Sequence, residues 1–156
     1  MSVDVVRKHF AQWGMAHRIR ELPLSSATVE EAAAALGCEG CRIAKTLSFV
    51  VDGRPVLIVM AGDAKVDNTK YKEQFHTKAV MLRSDEVETL TGHPAGGVCP
   101  FGVGADVAVY LDQSLQRFDT VYPACGSRNS AIELTLAELE TCSGSLGWID
   151  VGKGWE

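Results

Sequence analysis

A lysine stands at the start of a strongly apolar stretch, in Arg42-Ile43-Ala44-Lys45-Thr46-Leu47. Such a lysine is either an exposed charge on a sheet edge or a single cation aimed into a cavity. Further along, Gly92-His-Pro-Ala-Gly-Gly-Val-Cys-Pro-Phe-Gly102 contains the adjacent pair Gly96 and Gly97. Two neighbouring glycines let backbone N–H groups face a ligand without side-chain obstruction. Pro94 and Pro100 stiffen the loop on either side. Such a loop offers preorganised donors to a carbonyl oxygen or a phosphate. The alternative is a long structural loop, although irregular loops of this length lean towards function.

The remaining reactive residues form no familiar constellation. Cys38 and Cys41 make a C-x2-C pair, but a tetrahedral zinc site needs two more ligands, and Cys99, Cys125 and Cys142 are isolated. The pair also follows a helix end, whereas a redox pair wants a helix N-terminus, so all five cysteines read as structural thiols. His9, His17, His76 and His93 lack ligand spacing, and His93 in its loop reads as a surface or packing histidine, with a general base as the alternative. Cys99 has no visible base partner and reads as a side chain shaping a pocket. There is no G-x4-G-K-[ST], no complete dinucleotide fingerprint around Gly102 and Gly104, no G-x-S-x-G and no H-E-x-x-H. An enzyme without nucleophile or metal must work through positioning and electrostatics.

These residues need a scaffold, and 156 residues with 46% apolar and 22% charged residues suit one globular domain. The longest apolar run, Pro55 to Gly62, is strand-sized, far short of the ~20 residues of a membrane helix. Asp4, Arg7, Lys8 and His9 interrupt any apolar export signal, so a cytoplasmic location is expected, with no membrane or DNA partner. The formal charge of −5 opposes a general nucleic-acid coat role but allows a local basic mouth. Between Asp63 and Lys78, four lysines (Lys65, Lys70, Lys72, Lys78) outnumber three acids.

Val6, Phe10 and Trp13 predict a helix over 3–15, and 17–22 alternates like a strand. Thr28 and Glu31 form a capping-box signature before Ala32–Ala35, with Gly37 as the stop. Asp52-Gly53 between 46–51 and 54–60 predicts a type I′ hairpin, its second strand buried on both faces. Asp67 or Asn68 caps a helix to Phe75, 79–82 is a strand, and Ser84 caps a helix to about Leu90. Residues 92–106 carry too many glycines and prolines for a regular element. Strands follow at 107–111, 119–122, 131–134 and 148–151, with a helix after the Thr135/Glu138 capping box. About eight strands and five helices without β-α-β alternation predict an α/β (α+β) domain around a mixed, mainly antiparallel sheet, possible as a curled barrel.

Together, R-I-A-K-T-L at 42–47, A-G-D-A-K-V-D at 61–67, T-G-H-P-A-G-G-V-C-P-F-G at 91–102 and C-G-S-R-N-S-A-I-E-L at 125–134 resemble the YbaK/EbsC family. That family is similar to the editing domain of bacterial prolyl-tRNA synthetases, and the likeness covers nearly the whole chain, 1–156. The resemblance implies a compact domain with a curled sheet, acting in trans to hydrolyse the aminoacyl ester at the 3′ end of a mischarged tRNA without cofactor or metal. It puts the family's lysine on Lys45, the substrate-carbonyl loop on Gly96 to Pro100, and a pocket turn on Gly126, with Ser127 and Asn129 close by. The N–H groups of Gly97, Val98 and Cys99 are then expected to stabilise an oxyanion. Members that remove alanine carry asparagine after the lysine; Thr46 departs from that pattern and leaves the amino acid open, with a small one on a tRNA(Pro)-type substrate expected. An aminoacyl-tRNA synthetase is a possible further partner. The competing reading is a non-catalytic tRNA- or synthetase-binding module using the basic 65–78 segment.

Overall fold

A computed structural model describes residues 2–155. Helix α1 (Ser2–Ala11) buries Val3, Val6 and Phe10 along one stripe, as an amphipathic helix should. After a 3-10 turn at Ala16–Arg18 comes β1 (Arg20–Glu21). The strand expected over 17–22 shrinks to these two residues because its first half winds into that turn. Helix α2 (Val29–Leu36) starts where Thr28 Oγ1 accepts the Glu31 N–H at 3.1 Å and stops at left-handed Gly37.

The long hairpin of β2 (Ile43–Val51) and β3 (Arg54–Ala61) turns through Asp52 and Gly53, at φ 51° and 77°. Both lie in the left-handed region that a type I′ turn demands. Val56 to Ala61 are buried without exception, so β3 is covered on both faces. Each of its larger side chains contributes about 1.5–3 kcal/mol by leaving water. Next come β4 (Lys65–Val66), α3 (Asn68–Phe75) with Asp67 as its cap, and α4 (Ser84–Thr91). Ser84 is the first helical residue, not the cap; Arg83 is, its N–H taken by the Glu86 carboxylate at 3.1 Å. The rest comprises β5 (Ala108–Asp112), β6 (Thr120–Pro123), β7 (Ser130–Ala131), β8 (Leu134–Thr135), α5 (Leu136–Ser143), β9 (Trp148–Ile149) and β10 (Gly152–Lys153).

Six strands form a curled, mixed sheet in the order β8-β6-β2-β3-β5-β9. Its β2–β3 and β6–β8 pairs are antiparallel, while β2–β6, β3–β5 and β5–β9 run parallel. The ribbons β1–β7 and β4–β10 are antiparallel, so antiparallel pairing prevails over the molecule. Residues 79–82, expected as a strand, make only the single bridge Phe49–Met81. Residues 92–107 stay irregular between α4 and β5.

Candidate functional site

The site is a gap along the edge of β2. On that edge β6 pairs only with Ile43 and Ala44, and the 79–82 segment arrives at Ser48, whose C=O accepts the Leu82 N–H at 3.0 Å, and at Val50, whose N–H donates to Val80 O at 2.9 Å. Backbone polarity alternates along a strand. If Ser48 and Val50 face outward, Thr46 does too, and neither β6 nor 79–82 reaches it. Its N–H and C=O therefore open onto a cavity of about 540 Å³, a size typical of small-molecule sites. The Thr46 side-chain hydroxyl is also buried without a hydrogen-bond partner. Thr46 and Ser48 register with Val59 and Leu57 of β3; the sheet thus supplies the floor, with α2, α4 and Tyr122 at the walls.

Lys45 lines the same cavity. Its ammonium donates to the carbonyls of Gly62 (3.3 Å) and Ala64, which fixes a half-buried charge in one place. Burial lowers its pKa from the ordinary lysine value, opposed by the Asp63 carboxylate nearby and reinforced by Lys65. Asp63 is itself held by Arg117 through two bonds of 2.6 and 3.0 Å. Gly62 has no room for a side chain: a Cβ there would lie 2.1 Å from Gly40 O and 2.8 Å from Val29 Cγ1. That close approach brings the Gly62 carbonyl and α2 to one end of the cavity.

The glycine loop divides between the cavity and the core. Gly96 and Val98 line the cavity, and Val98 packs onto Leu57, Val107 and Val109. Gly97 is buried, and its N–H donates to Pro94 O at 2.9 Å; this expected substrate-facing donor is thus engaged in its own turn. The N–H groups of Val98 and Cys99 have no acceptor among the described residues. The Cys99 thiol is fully buried 3.5 Å from His93 Nε2, and burial pushes its pKa up to about 12; a thiol so protonated is no nucleophile. Pro100 borders a second cavity beside His9 and Trp13 on another side of the loop.

His93 is the anchor that sequence leaves ambiguous. Its ring is fully buried. Nε2–H donates to Phe101 O at 2.7 Å, which leaves Nδ1 to accept from the Ser2 hydroxyl. Burial lowers its pKa, in keeping with a neutral ring that ties the loop to α1. Cys38 and Cys41 are partly exposed free thiols, and no third metal-ligating side chain groups with them among the described residues.

Gly126, Ser127 and Asn129 stand behind the wall of the cavity. Asn129 grips Leu22 twice, Nδ2 donating to Leu22 O at 3.0 Å and its own carbonyl accepting the Leu22 N–H at 2.6 Å. Ser127 Oγ bonds Ser130 Oγ at 2.7 Å, and Ser130 lines the cavity. This turn sets the position of Ser26 and Ala27, which close the same wall. Sequence reasoning missed the free Thr46 edge, since a gap in pairing is a property of strand neighbours distant in the chain. It also missed Met81, 55% exposed at the cavity.

Fold and site define a class. The chain belongs to the aminoacyl-tRNA editing domain family, whose model matches residues 25–142. It is 57% identical over its full length, and that of the relative, to the uncharacterized protein YwhH of Bacillus subtilis (strain 168). It is 33% identical to the "Putative Cys-tRNA(Pro)/Cys-tRNA(Cys) deacylase EbsC" of Enterococcus faecalis, over 69% of this chain and 66% of that one. The proline–tRNA ligase of Geobacter sp. (strain M21) matches at 34% identity over 57% of this chain, which spans only 16% of the ligase. Among solved structures, a "putative trans-editing enzyme for prolyl tRNA synthetase" superposes with a TM-score of 0.87 at 30% identity, covering 98% of both chains.

Proposed function

We propose that this protein, acting over 1–156 as one freestanding module in the cytoplasm, is a trans-editing deacylase that hydrolyses the ester of a small amino acid on a tRNA(Pro)-type substrate. The observation that carries the reading is the unpaired edge at Thr46, three polar groups without partners in a cavity that also holds the Lys45 ammonium. A ligand that replaces solvent at these groups gains hydrogen bonds only where its own donors and acceptors match them. An aminoacyl ester supplies matching chemistry: an α-ammonium for the Thr46 carbonyl and hydroxyl, and a carbonyl oxygen for backbone donors.

In the reaction a water oxygen adds to the ester carbonyl carbon and the bond to the ribose oxygen breaks. One water proton passes to that ribose oxygen and the other to solvent, and the amino acid leaves as carboxylate. Where the neighbouring ribose hydroxyl adds first, the ester only migrates between the two hydroxyls, and the same attack by water completes the hydrolysis. The developing oxyanion is met by the Val98 N–H, a donor worth roughly 3 kcal/mol in the transition state. Gly97 contributes by shaping this turn, its own N–H being held by Pro94 O. Lys45 acts as a fixed point charge on the terminal nucleotide. The walls select by size, at about 1–3 kcal/mol per methylene. A synthetase that delivers the tRNA is a compatible partner.

Single-turnover deacylation of alanyl-, seryl-, cysteinyl- and threonyl-tRNA(Pro), with Lys45→Ala in parallel, tests the reading. Release of one amino acid above the buffer rate, lost in the variant, is expected. Survival of every ester while tRNA still binds would leave the non-catalytic binder in its place.

A further inference from the structure

The basic segment at 65–78 does not form one patch. Lys70 pairs with Asp150 at 3.0 Å, and Lys72 lies on α3. Lys65 instead meets a lysine from the other end of the chain: in the β4–β10 ribbon, Lys65 and Lys153 are direct cross-strand partners. Directly opposed residues point to the same face, and like charges so placed repel. The other pair of the ribbon turns inward. Val66 packs against the core, and a Cβ on Gly152 would meet the buried Asp112 carboxylate at 2.8 Å.

Lys65 and Lys153 are therefore exposed side by side, and neither joins an ion pair among the described residues. The carboxylate that senses Lys153 is Asp67, and it is occupied in capping α3, accepting from Thr69 N–H at 2.9 Å and Lys70 N–H at 3.0 Å. The ribbon begins one residue after Ala64, whose carbonyl holds Lys45. Three ammonium groups thus lead from the cavity to solvent on a chain whose net charge is −5.

We propose that Lys65 and Lys153 form a phosphate clamp for single-stranded RNA, taking the backbone phosphates that precede the terminal adenosine whose ester enters the cavity. This rests on the deacylase reading for its substrate and goes beyond it in assigning a docking surface. Ammonium groups meet phosphates and carry no sequence information, so the clamp reads phosphate and not base, and its contribution falls with salt.

The test uses the full chain carrying Lys65→Gln together with Lys153→Gln. Both side chains are exposed, and removal of a like-charge pair leaves Tm unchanged or raised, which verifies folding. Binding of uncharged tRNA is followed by fluorescence anisotropy between 50 and 200 mM salt, concentrations set by the experimenter. Loss of two phosphate contacts should make the slope of log K against log salt shallower by about 1.4, at roughly 0.7 per single-strand phosphate. Hydrolysis is compared for aminoacyl-tRNA and for a 3′-aminoacyl-adenosine lacking phosphates; kcat/KM should fall about tenfold or more for the first and stay level for the second. Unchanged affinity and slope, no tRNA binding by the parent protein, or equal loss on both substrates would each overturn the clamp. A parent protein that cleaves neither substrate while the slope still shifts would instead retire the deacylase reading and leave the clamp standing.

Discussion

A methyl group placed on Gly97 would sit 2.7 Å from the backbone nitrogen of Ser127. The two stretches expected to form the site are therefore joined by backbone-to-backbone contact, with no side chain between them. Gly126 continues the stack: a Cβ there would lie 2.7 Å from Ser2 Oγ, and that hydroxyl bonds His93. Loop, turn and first helix form one rigid unit behind the cavity.

Gly97→Ala should accordingly cost about 1–3 kcal/mol, the usual penalty for overpacking, and should lower deacylation at least tenfold by displacing Val98. The comparison is Gly53→Ala in the distant hairpin turn, where φ is 77° but nothing lies within 4 Å of the new methyl. That variant should lose about 1 kcal/mol for its backbone conformation with activity intact. Thermal denaturation and single-turnover rates on both proteins check the contrast; equal activity losses would mean that instability alone is being read.

Thr46→Val should separate stability from function in the opposite sense. The hydroxyl is buried and unpartnered in the free protein, so an isosteric methyl leaves stability unchanged or raises it by up to about 1 kcal/mol. With substrate, the lost hydrogen bond should reduce kcat/KM about tenfold, the equivalent of ~1.4 kcal/mol. Denaturation curves and deacylation rates on the same preparation decide it; a destabilised variant with full activity would show that the hydroxyl serves the fold.

Acid stability has a local source at Glu138. Arg18 grips its carboxylate at 2.7 and 3.1 Å, the Thr135 N–H adds a third bond, and together they hold its pKa down at about 2. A carboxylate depressed in the folded state stabilises above its unfolded pKa of about 4.5 and loses that contribution as pH falls from there through about 2. Urea midpoints of the parent protein should decline across that window, and Glu138→Gln should flatten this part of the decline. An identical slope in the variant would assign acid sensitivity elsewhere.

Much of the fold was legible because its signals are local. Asp52-Gly53, Thr28 with Gly37, and Thr135 with Glu138 each carry their geometry within a few residues, and each appears where the sequence puts it. The failures involve partners far apart in the chain. The β4 and β10 strands have two residues each and meet only across the whole sequence, so neither shows a periodicity. Residues 131–134 look like one strand, yet Ala131 pairs with Arg20 and Leu134 with Val121, and the chain bends between two sheets. In the site, Lys45, Thr46, Gly96 and Val98 reach the cavity, whereas Cys99 and Pro100 turn away. Alternation of faces along an irregular loop cannot be counted as it can along a strand. Ser127 and Asn129 carry the turn that supports the wall, a role that their polar side chains disguise in sequence as ligand contacts.

The gap along β2 also bears on self-association. An uncovered strand edge is a template for pairing with another chain, and this molecule keeps one hungry for hydrogen bonds at its functional centre. The open stretch runs only between Ala44 and Ser48, four residue steps or about 13 Å at the usual rise, closed at one end by β6 and at the other by the Met81 segment. A foreign β-strand meets those two barriers before it can find register, whereas a compact ester passes between them. The same recess that invites a small substrate thus protects the protein from edge-to-edge aggregation.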